Sequence, residues 1–231
     1  MRLSGVFGPA SQWPGQDLVA LSYEFDPDLV LEAYRAGAFP MPLHDSEWPD
    51  GLMAWWSPVR RGILPLDDVR VPRSLRQSAK RYTTTVDRAF DDVLEGCSDP
   101  RRPGGWIDAD VRRAYRTLRE WGHVHSVESW TADGRLAGGL YGVSVGGLFA
   151  GESMFHDPVI GRDASKVALL RLVEIMSDGS ERLLDVQWVT DHLAALGAVG
   201  VDRVDYLRLL GEALDVPPPD WAAESKEEHH A

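Results

Sequence analysis

A chain of 231 residues with a formal charge of −12 is long enough for one large or two unequal domains, and its acidity counts against a general nucleic-acid binder. No apolar run approaches the ~20 residues needed to span a bilayer, and Met1-Arg2-Leu3-Ser4-Gly5 lacks the pattern of a signal peptide. Cys97 is the only cysteine, which excludes an internal disulfide and a thiolate metal site and favours a soluble cytoplasmic protein.

Residues 1–65 are rich in Pro, Gly and Trp and show little periodicity, as expected of a small N-terminal domain or an irregular lobe. One short helix stands out at 27–36, where Asp26 can cap and Gly37 can stop it. The prolines of Phe39-Pro40-Met41-Pro42 and Trp55-Trp56-Ser57-Pro58 suit extended or turning backbone. Regular patterning begins after residue 65. Short helices are predicted at 73–80 and 90–97. Asp108 or Asp110 can cap a longer one that carries Val111, Ala114, Tyr115 and Leu118 on one face, with Gly122 as its stop. Arg112, Arg113, Arg116 and Arg119 take its other faces.

Three strands follow, at 125–130, 136–145 and 148–155. Ala132-Asp133-Gly134 and the two-residue turn Gly146-Gly147 connect them. Asp163 is the expected cap of a helix burying Leu169, Leu172, Val173 and Met176. A strand at 183–188, a short helix at 191–196, a strand at 199–204 and a helix at 205–214 complete the chain. This order predicts a mixed α/β domain on one sheet over residues 66–231.

Two strings carry the chemistry. Glu152 and Met154 in Gly151-Glu152-Ser153-Met154-Phe155, and Asp185 and Gln187 in Leu184-Asp185-Val186-Gln187, are each two apart, so each pair shares a face if the strings are regular strands. A carboxylate at Glu152 is either an edge or salt-bridge residue or an anchor for a cationic substrate group. Asp185 and Gln187 lie in an apolar strand and need partners. They form either a buried structural pair or a relay in which Asp185 accepts from the Gln187 amide and leaves its carbonyl oxygen for an amine. Trp106, Tyr115, Tyr34 and Phe39 are core rings or platforms for a nucleobase. Within the basic stretch, Arg76, Lys80 and Arg81 are either a solvated helix face or phosphate contacts. His123 and His125 have no third ligand at an obvious spacing, so no metal site is expected. Gly-Glu-Ser-Met-Phe is not a serine-hydrolase elbow, and the glycines of 138–147 lack a dinucleotide-loop context.

Many short strings occur together and in order. They include Ala33-Tyr34-Arg35-Ala36-Gly37-Ala38-Phe39-Pro40, Trp55-Trp56-Ser57-Pro58, Gly105-Trp106-Ile107 and His123-Val124-His125-Ser126-Val127-Glu128. They continue with Gly138-Gly139-Leu140-Tyr141-Gly142-Val143, Gly151-Glu152-Ser153-Met154-Phe155, Ala164-Ser165-Lys166, Asp185-Val186-Gln187 and Leu196-Gly197-Ala198. In this the chain resembles the leucyl/phenylalanyl-tRNA–protein transferases, from about Leu29 to Leu210. Ser22-Tyr23-Glu24 stands where members of the family often carry Gly-Gly-Asp, and Met41 where some have Trp.

The resemblance implies an α+β protein: a small N-terminal domain, then an acetyltransferase-like (GNAT) domain with a mixed, largely antiparallel sheet flanked by helices. It implies transfer of Leu or Phe from Leu-tRNA or Phe-tRNA to the α-amine of proteins with N-terminal Arg or Lys. Such transfer marks those proteins for N-end-rule degradation. No cofactor and no metal are implied, because the aminoacyl ester is already activated, and a monomer is expected. Asp185 and Gln187 match the family's relay and Glu152 its active-site acid. Leu140 and Met154 match the side-chain pocket. Trp106, Tyr115, Tyr34 and Phe39 match aromatic positions near the tRNA 3′ end. Arg76, Lys80 and Arg81 match the cluster that binds the tRNA stem.

Overall fold

The computed structural model describes residues 7–43, 51–99 and 107–230. Its N-terminal part holds β1 (Leu18–Ser22), α1 (Pro27–Ala36), β2 (Phe39–Pro42), β3 (Met53–Trp56) and β4 (Arg60–Ile63). Next come α2 (Arg73–Ala79), β5 (Tyr82–Val86), α3 (Phe90–Cys97) and α4 (Ala109–Glu120). A meander of β6 (Val124–Thr131), β7 (Leu136–Val145) and β8 (Leu148–His156) leads to α5 (Ala164–Met176) and β9 (Leu183–Gln187). The chain finishes with α6 (Asp191–Ala195), β10 (Val199–Asp202), α7 (Arg203–Leu214), α8 (Trp221–Glu224) and β11 (His229–His230).

Two sheets form. The smaller has the order β1-β3-β2, and the larger β10-β4-β9-β8-β7-β6-β5-β11. Neighbours in both are antiparallel except β8 and β9, which run parallel with α5 as their crossover. The architecture is therefore mixed α+β. No described helix is long and apolar enough to cross a membrane.

The larger sheet separates two cores because its strands alternate. Tyr141, Val143, Leu148 and Ala150 face a cluster built with α1, α3, α4 and α7. Leu140, Phe149 and Leu184 face the other, built with α2 and α5. The local signals for these helices are direct. Asp26 accepts from the Leu29 N–H at 2.9 Å, and Gly37 ends α1 in the left-handed conformation at φ 93°. Asp108 caps α4 through the N–H groups of Asp110 and Val111. Val111, Ala114, Tyr115 and Leu118 are all buried, as their spacing requires.

Three expectations change. A boundary at residue 65 does not follow the sheets, because β4 pairs with both β10 and β9 inside the larger one. Sheet membership changes between Trp56 and Arg60 instead. Residues before 65 are also less irregular than composition suggests, since β3 pairs with β1 and β2 despite the prolines of β2. Finally, Asp163 stands at the start of α5 but does not cap it. Its backbone is left-handed, and its carboxylate is taken by Ser78 and Lys166.

Strand β7 approaches its neighbours so closely that a side chain at Gly142 has no room. A Cβ there would lie 2.3 Å from the Ala150 carbonyl oxygen and 2.4 Å from the Phe149 ring. We expect Gly142→Ala to lower stability by about 1–3 kcal/mol, as overpacking does. Urea unfolding would show this as an earlier midpoint, and an unmoved midpoint would contradict the β7–β8 register.

Candidate active site

Strands β8 and β9 pair over only three positions: Leu148 with Leu183, Phe149 with Leu184 and Ala150 with Asp185. Beyond these both strands bulge. On β8, Tyr141 faces Ser153 and Gly142 faces Gly151, so Glu152 is the extra residue. On β9, Ile63 faces Asp185 and Gly62 faces Gln187, so Val186 is extra. Bulges bend their strands and re-aim side chains. A cavity of about 300 Å³ opens where the two strands part. Its walls are mostly apolar, with Phe39, Leu140, Met154, Leu172, Leu184 and Val186 among them, and Glu152 and Gln187 also line it.

The bulge overturns the expected alternation on β8. Met154 packs with the second core cluster, whereas the Glu152 carboxylate turns to the opposite side, towards α1 and α4. There the Tyr115 hydroxyl donates to Oε2 at 2.8 Å, and the Tyr34 hydroxyl makes a short hydrogen bond to Oε1. The two hydroxyls are 3.1 Å apart. Burial pushes the Glu152 carboxyl up to about 7. The two phenol hydrogen bonds pull it down, the Asp185 charge adds to the rise, and Arg61 opposes it. Burial, followed by the Glu152 charge, raises both phenols well above their ordinary value, so they remain donors.

Asp185 is fully buried and paired with an equally buried Arg61. Arg61 Nε donates to Oδ1 at 2.8 Å and Nη2 to Oδ2 at 2.5 Å, a two-pronged contact. The Tyr206 hydroxyl donates to Oδ2 at 3.0 Å. Desolvation works against the Arg61 charge, but the Asp185 carboxylate more than offsets it and raises the guanidinium pKa. Asp185 does not accept from the Gln187 side-chain amide, as the relay reading supposed. It accepts the Gln187 backbone N–H instead, at 2.9 Å. Such an Asx turn mimics a backbone turn within one strand end. Gln187 has φ 55°, left-handed backbone that costs a side-chain-bearing residue roughly 1–2 kcal/mol. Its Nε2 is enclosed with no hydrogen-bond partner.

The remaining candidates separate by position. Tyr34 and Tyr115 are 1% and 0% exposed, so they offer no open face to a base; their hydroxyls, not their rings, reach the site. Phe39 lines the cavity and meets Trp188 edge-on. Trp106 lies outside the described residues. Arg76 and Lys80 are exposed at α2 and make no side-chain hydrogen bond or ion pair among the described residues. Arg81 is exposed but donates to Ser78 and lies over the Tyr82 ring. His125 bonds Asp87 and stacks on Trp221. No group of three or more His, Cys, Asp or Glu among the described residues is placed to hold a metal.

Arg61 and Tyr206 were not foreseen, although the sequence held a signal for the first. Arg61 precedes the apolar Gly62-Ile63-Leu64, and a cation in such a run needs a carboxylate. Asp185, flanked by apolar residues, needs a cation in turn.

The family model described as "Leucyl/phenylalanyl-tRNA protein transferase" matches residues 63–211. The model of that family's N-terminal domain matches 23–59. A leucyl/phenylalanyl-tRNA–protein transferase of Rhizorhabdus wittichii is 49% identical over 195 residues, spanning 83% of this chain and 76% of the relative. One from Nitratidesulfovibrio vulgaris is 42% identical over 219 residues, 92% of this chain and 89% of the relative. A solved structure titled "The structure of L-PGS from Bacillus licheniformis" aligns with TM-score 0.42 and 13% identity over 66% of this chain and 65% of that one, too distant to add to the fold. Similarity of this extent to the transferases makes the chain an aminoacyltransferase that works from aminoacyl-tRNA. It belongs to the leucyl/phenylalanyl-tRNA–protein transferase family.

Glu152 makes stability depend on pH. Its carboxyl holds a proton more tightly folded than unfolded, so between about 4.5 and about 7 the native state binds more protons. Stability then falls as pH rises through that window. Glu152→Gln removes the titration, so unfolding free energy of the variant relative to the native protein should rise between about pH 5 and about pH 8. A difference that stays flat across that range would contradict the raised carboxyl.

Proposed function

We propose that the chain moves Leu or Phe from tRNA onto the α-amine of proteins that begin with Arg or Lys, marking them for N-end-rule degradation. What most supports this reading is an apolar cavity lined at its edge by Gln187, whose side-chain Nε2 has no hydrogen-bond partner. A Leu or Phe side chain suits a slot walled by Leu140, Met154 and Leu172. Each methylene buried there contributes roughly 0.8 kcal/mol, which favours large apolar side chains over small ones. Discrimination among similar aliphatics is correspondingly modest.

The ester carbonyl then lies near Gln187, and the incoming amine attacks it. The C–N bond forms as the bond to the tRNA 3′ oxygen breaks, and the proton that the amine sheds passes to that leaving oxygen. An amide is too weakly basic to remove a proton fully. The Gln187 side chain instead accepts a hydrogen bond from the amine and holds its lone pair on line. Glu152 draws the cationic N-terminal residue. No cofactor is called for, because the ester is already activated. Phe39 borders the cavity where the terminal nucleoside would rest, with Trp106 assigned there by resemblance alone. Tyr34 and Tyr115 act through Glu152. Arg76, Lys80 and Arg81 hold the tRNA stem through phosphates. The parallel β8–β9 pair that splays beside an otherwise antiparallel sheet supports an acetyltransferase-like reading of the larger sheet. We take the protein to act as a monomer.

Labelled Leu on tRNA, offered to peptides starting with Arg, with Ala or with an acetyl group, tests this directly. Transfer to the Arg peptide alone is the expected result, and equal transfer to all three would remove the proposal. Gln187→Ala should lower kcat while tRNA binding persists. Arg76→Ala and Lys80→Ala should raise the tRNA KM and flatten the fall of affinity with salt, by about one unit of slope for each phosphate no longer neutralised. A lower kcat at unchanged KM would contradict their assignment.

A further inference from the structure

We propose that Arg61 and Tyr206 are positioning residues of the transfer reaction: they clamp Asp185 so that its Oδ1 captures the Gln187 backbone N–H and turns the Gln187 side chain into the cavity. The inference rests on the reading of Gln187 as the group that contacts the amine. Neither Arg61 nor Tyr206 lines the cavity, so both act through Asp185.

The two Asp185 oxygens are fully engaged. A carboxylate offers about four acceptor positions. Here four donors occupy them: Arg61 Nε at 2.8 Å, Arg61 Nη2 at 2.5 Å, the Tyr206 hydroxyl at 3.0 Å and the Gln187 N–H at 2.9 Å. The side chain is 0% exposed. A carboxylate so filled has no position left for the Gln187 side-chain amide. Its one link towards the cavity is the backbone of Gln187.

That link has a visible consequence. Gln187 is one of three side-chain-bearing residues among those described with a positive φ, at 55°. Such backbone persists only where surroundings over-determine it. The Asx turn supplies one constraint. Gly62 supplies another, since a Cβ there would come within 2.9 Å of the Trp188 backbone. Arg61 is in turn fixed from several directions. Nη1 donates to the Gly37 carbonyl at 3.2 Å, and the guanidinium lies 4.6 Å from the Phe39 ring centroid and 4.5 Å from that of Tyr206. The clamp therefore reaches the cavity wall at Phe39 as well as its amide at Gln187.

A purely structural ion pair would stabilise or destabilise the chain without regard to Gln187. A double-mutant cycle separates the two cases. Tyr206→Phe keeps the ring over Arg61 and removes one donor to Asp185. In the native background we expect it to lower kcat about tenfold, with the tRNA KM unchanged. In a Gln187→Ala background the same substitution should change kcat by less than about twofold. Equal losses in both backgrounds, or no loss in the native one, would overturn the proposal. Arg61→Lys runs the same cycle with the charge kept and the fork lost. It decides the matter if Tyr206→Phe shifts the unfolding midpoint enough to compromise the fold. Normal kcat in Gln187→Ala alone would instead sink the reading of Gln187, and the clamp's catalytic role with it. Loss in Gln187→Ala combined with additive effects of both clamp variants would leave that reading standing and remove only the positioning role.

Discussion

The buried ion pair between Arg61 and Asp185 is the constraint on which the rest of the site depends. Removing two charges from water is expensive, and only a well-fitted, fully bonded pair recovers the cost. Here the fork of Arg61 meets both Asp185 oxygens, and the remaining donors come from different segments. Arg61 belongs to β4, Asp185 to β9, Tyr206 to α7, and the Gly37 carbonyl follows α1. One pair thus joins the end of the first helix, two adjacent strands of the larger sheet and a C-terminal helix. Losing either charge would strand the other in the core, away from water.

The cavity follows from strand geometry rather than from a missing side chain. Antiparallel strands in this sheet stay paired along most of their length, as β6 and β7 do. The parallel pair β8–β9 stays together for three residues and then opens, with a bulge on each strand at the opening. The bulge on β8 sends Glu152 to the tyrosine side while Met154 stays with the apolar wall. The bulge on β9 lets Asp185 turn into the core while Gln187 borders the cavity. Polar and apolar groups thus reach a single opening from strands that regular pleating would have aimed otherwise.

Much of this was legible in the residues. The capped helix at α1, the amphipathic α4, and the meander with its Gly146-Gly147 turn all follow from local chemistry, and the structure has them within a residue or two. Glu152, Met154, Leu140 and Gln187 do meet at one cavity. What failed was the assumption of regular alternation, because a bulge depends on the partner strand and leaves no mark in its own string. The route from Asp185 to Gln187 failed for a related reason: spacing says the two are near, not whether a side chain or a backbone group answers. β4 and β5 were missed because pairing, not periodicity, makes them strands. Arg60-Arg61-Gly62-Ile63 has no alternation to read, and Tyr82-Thr83-Thr84-Thr85-Val86 is a β-branched run between two helices.

The site holds two carboxylates, Asp185 fully buried and Glu152 half-buried, and different neighbours answer each. Asp185 monopolises the guanidinium of Arg61, so Glu152 is left with phenols as its direct partners. A phenol donates a hydrogen bond but brings no positive charge, and it cannot offset desolvation as an arginine does. The Asp185 charge nearby presses the same way, and Arg61, already engaged, opposes it only at a distance. The Glu152 carboxyl is therefore pushed up to about 7. Had the guanidinium lain with Glu152, that carboxylate would be locked in its charged form and Asp185 would be the frustrated one. The choice of partner for Arg61 thus bears on the proton affinity of the acid across the cavity.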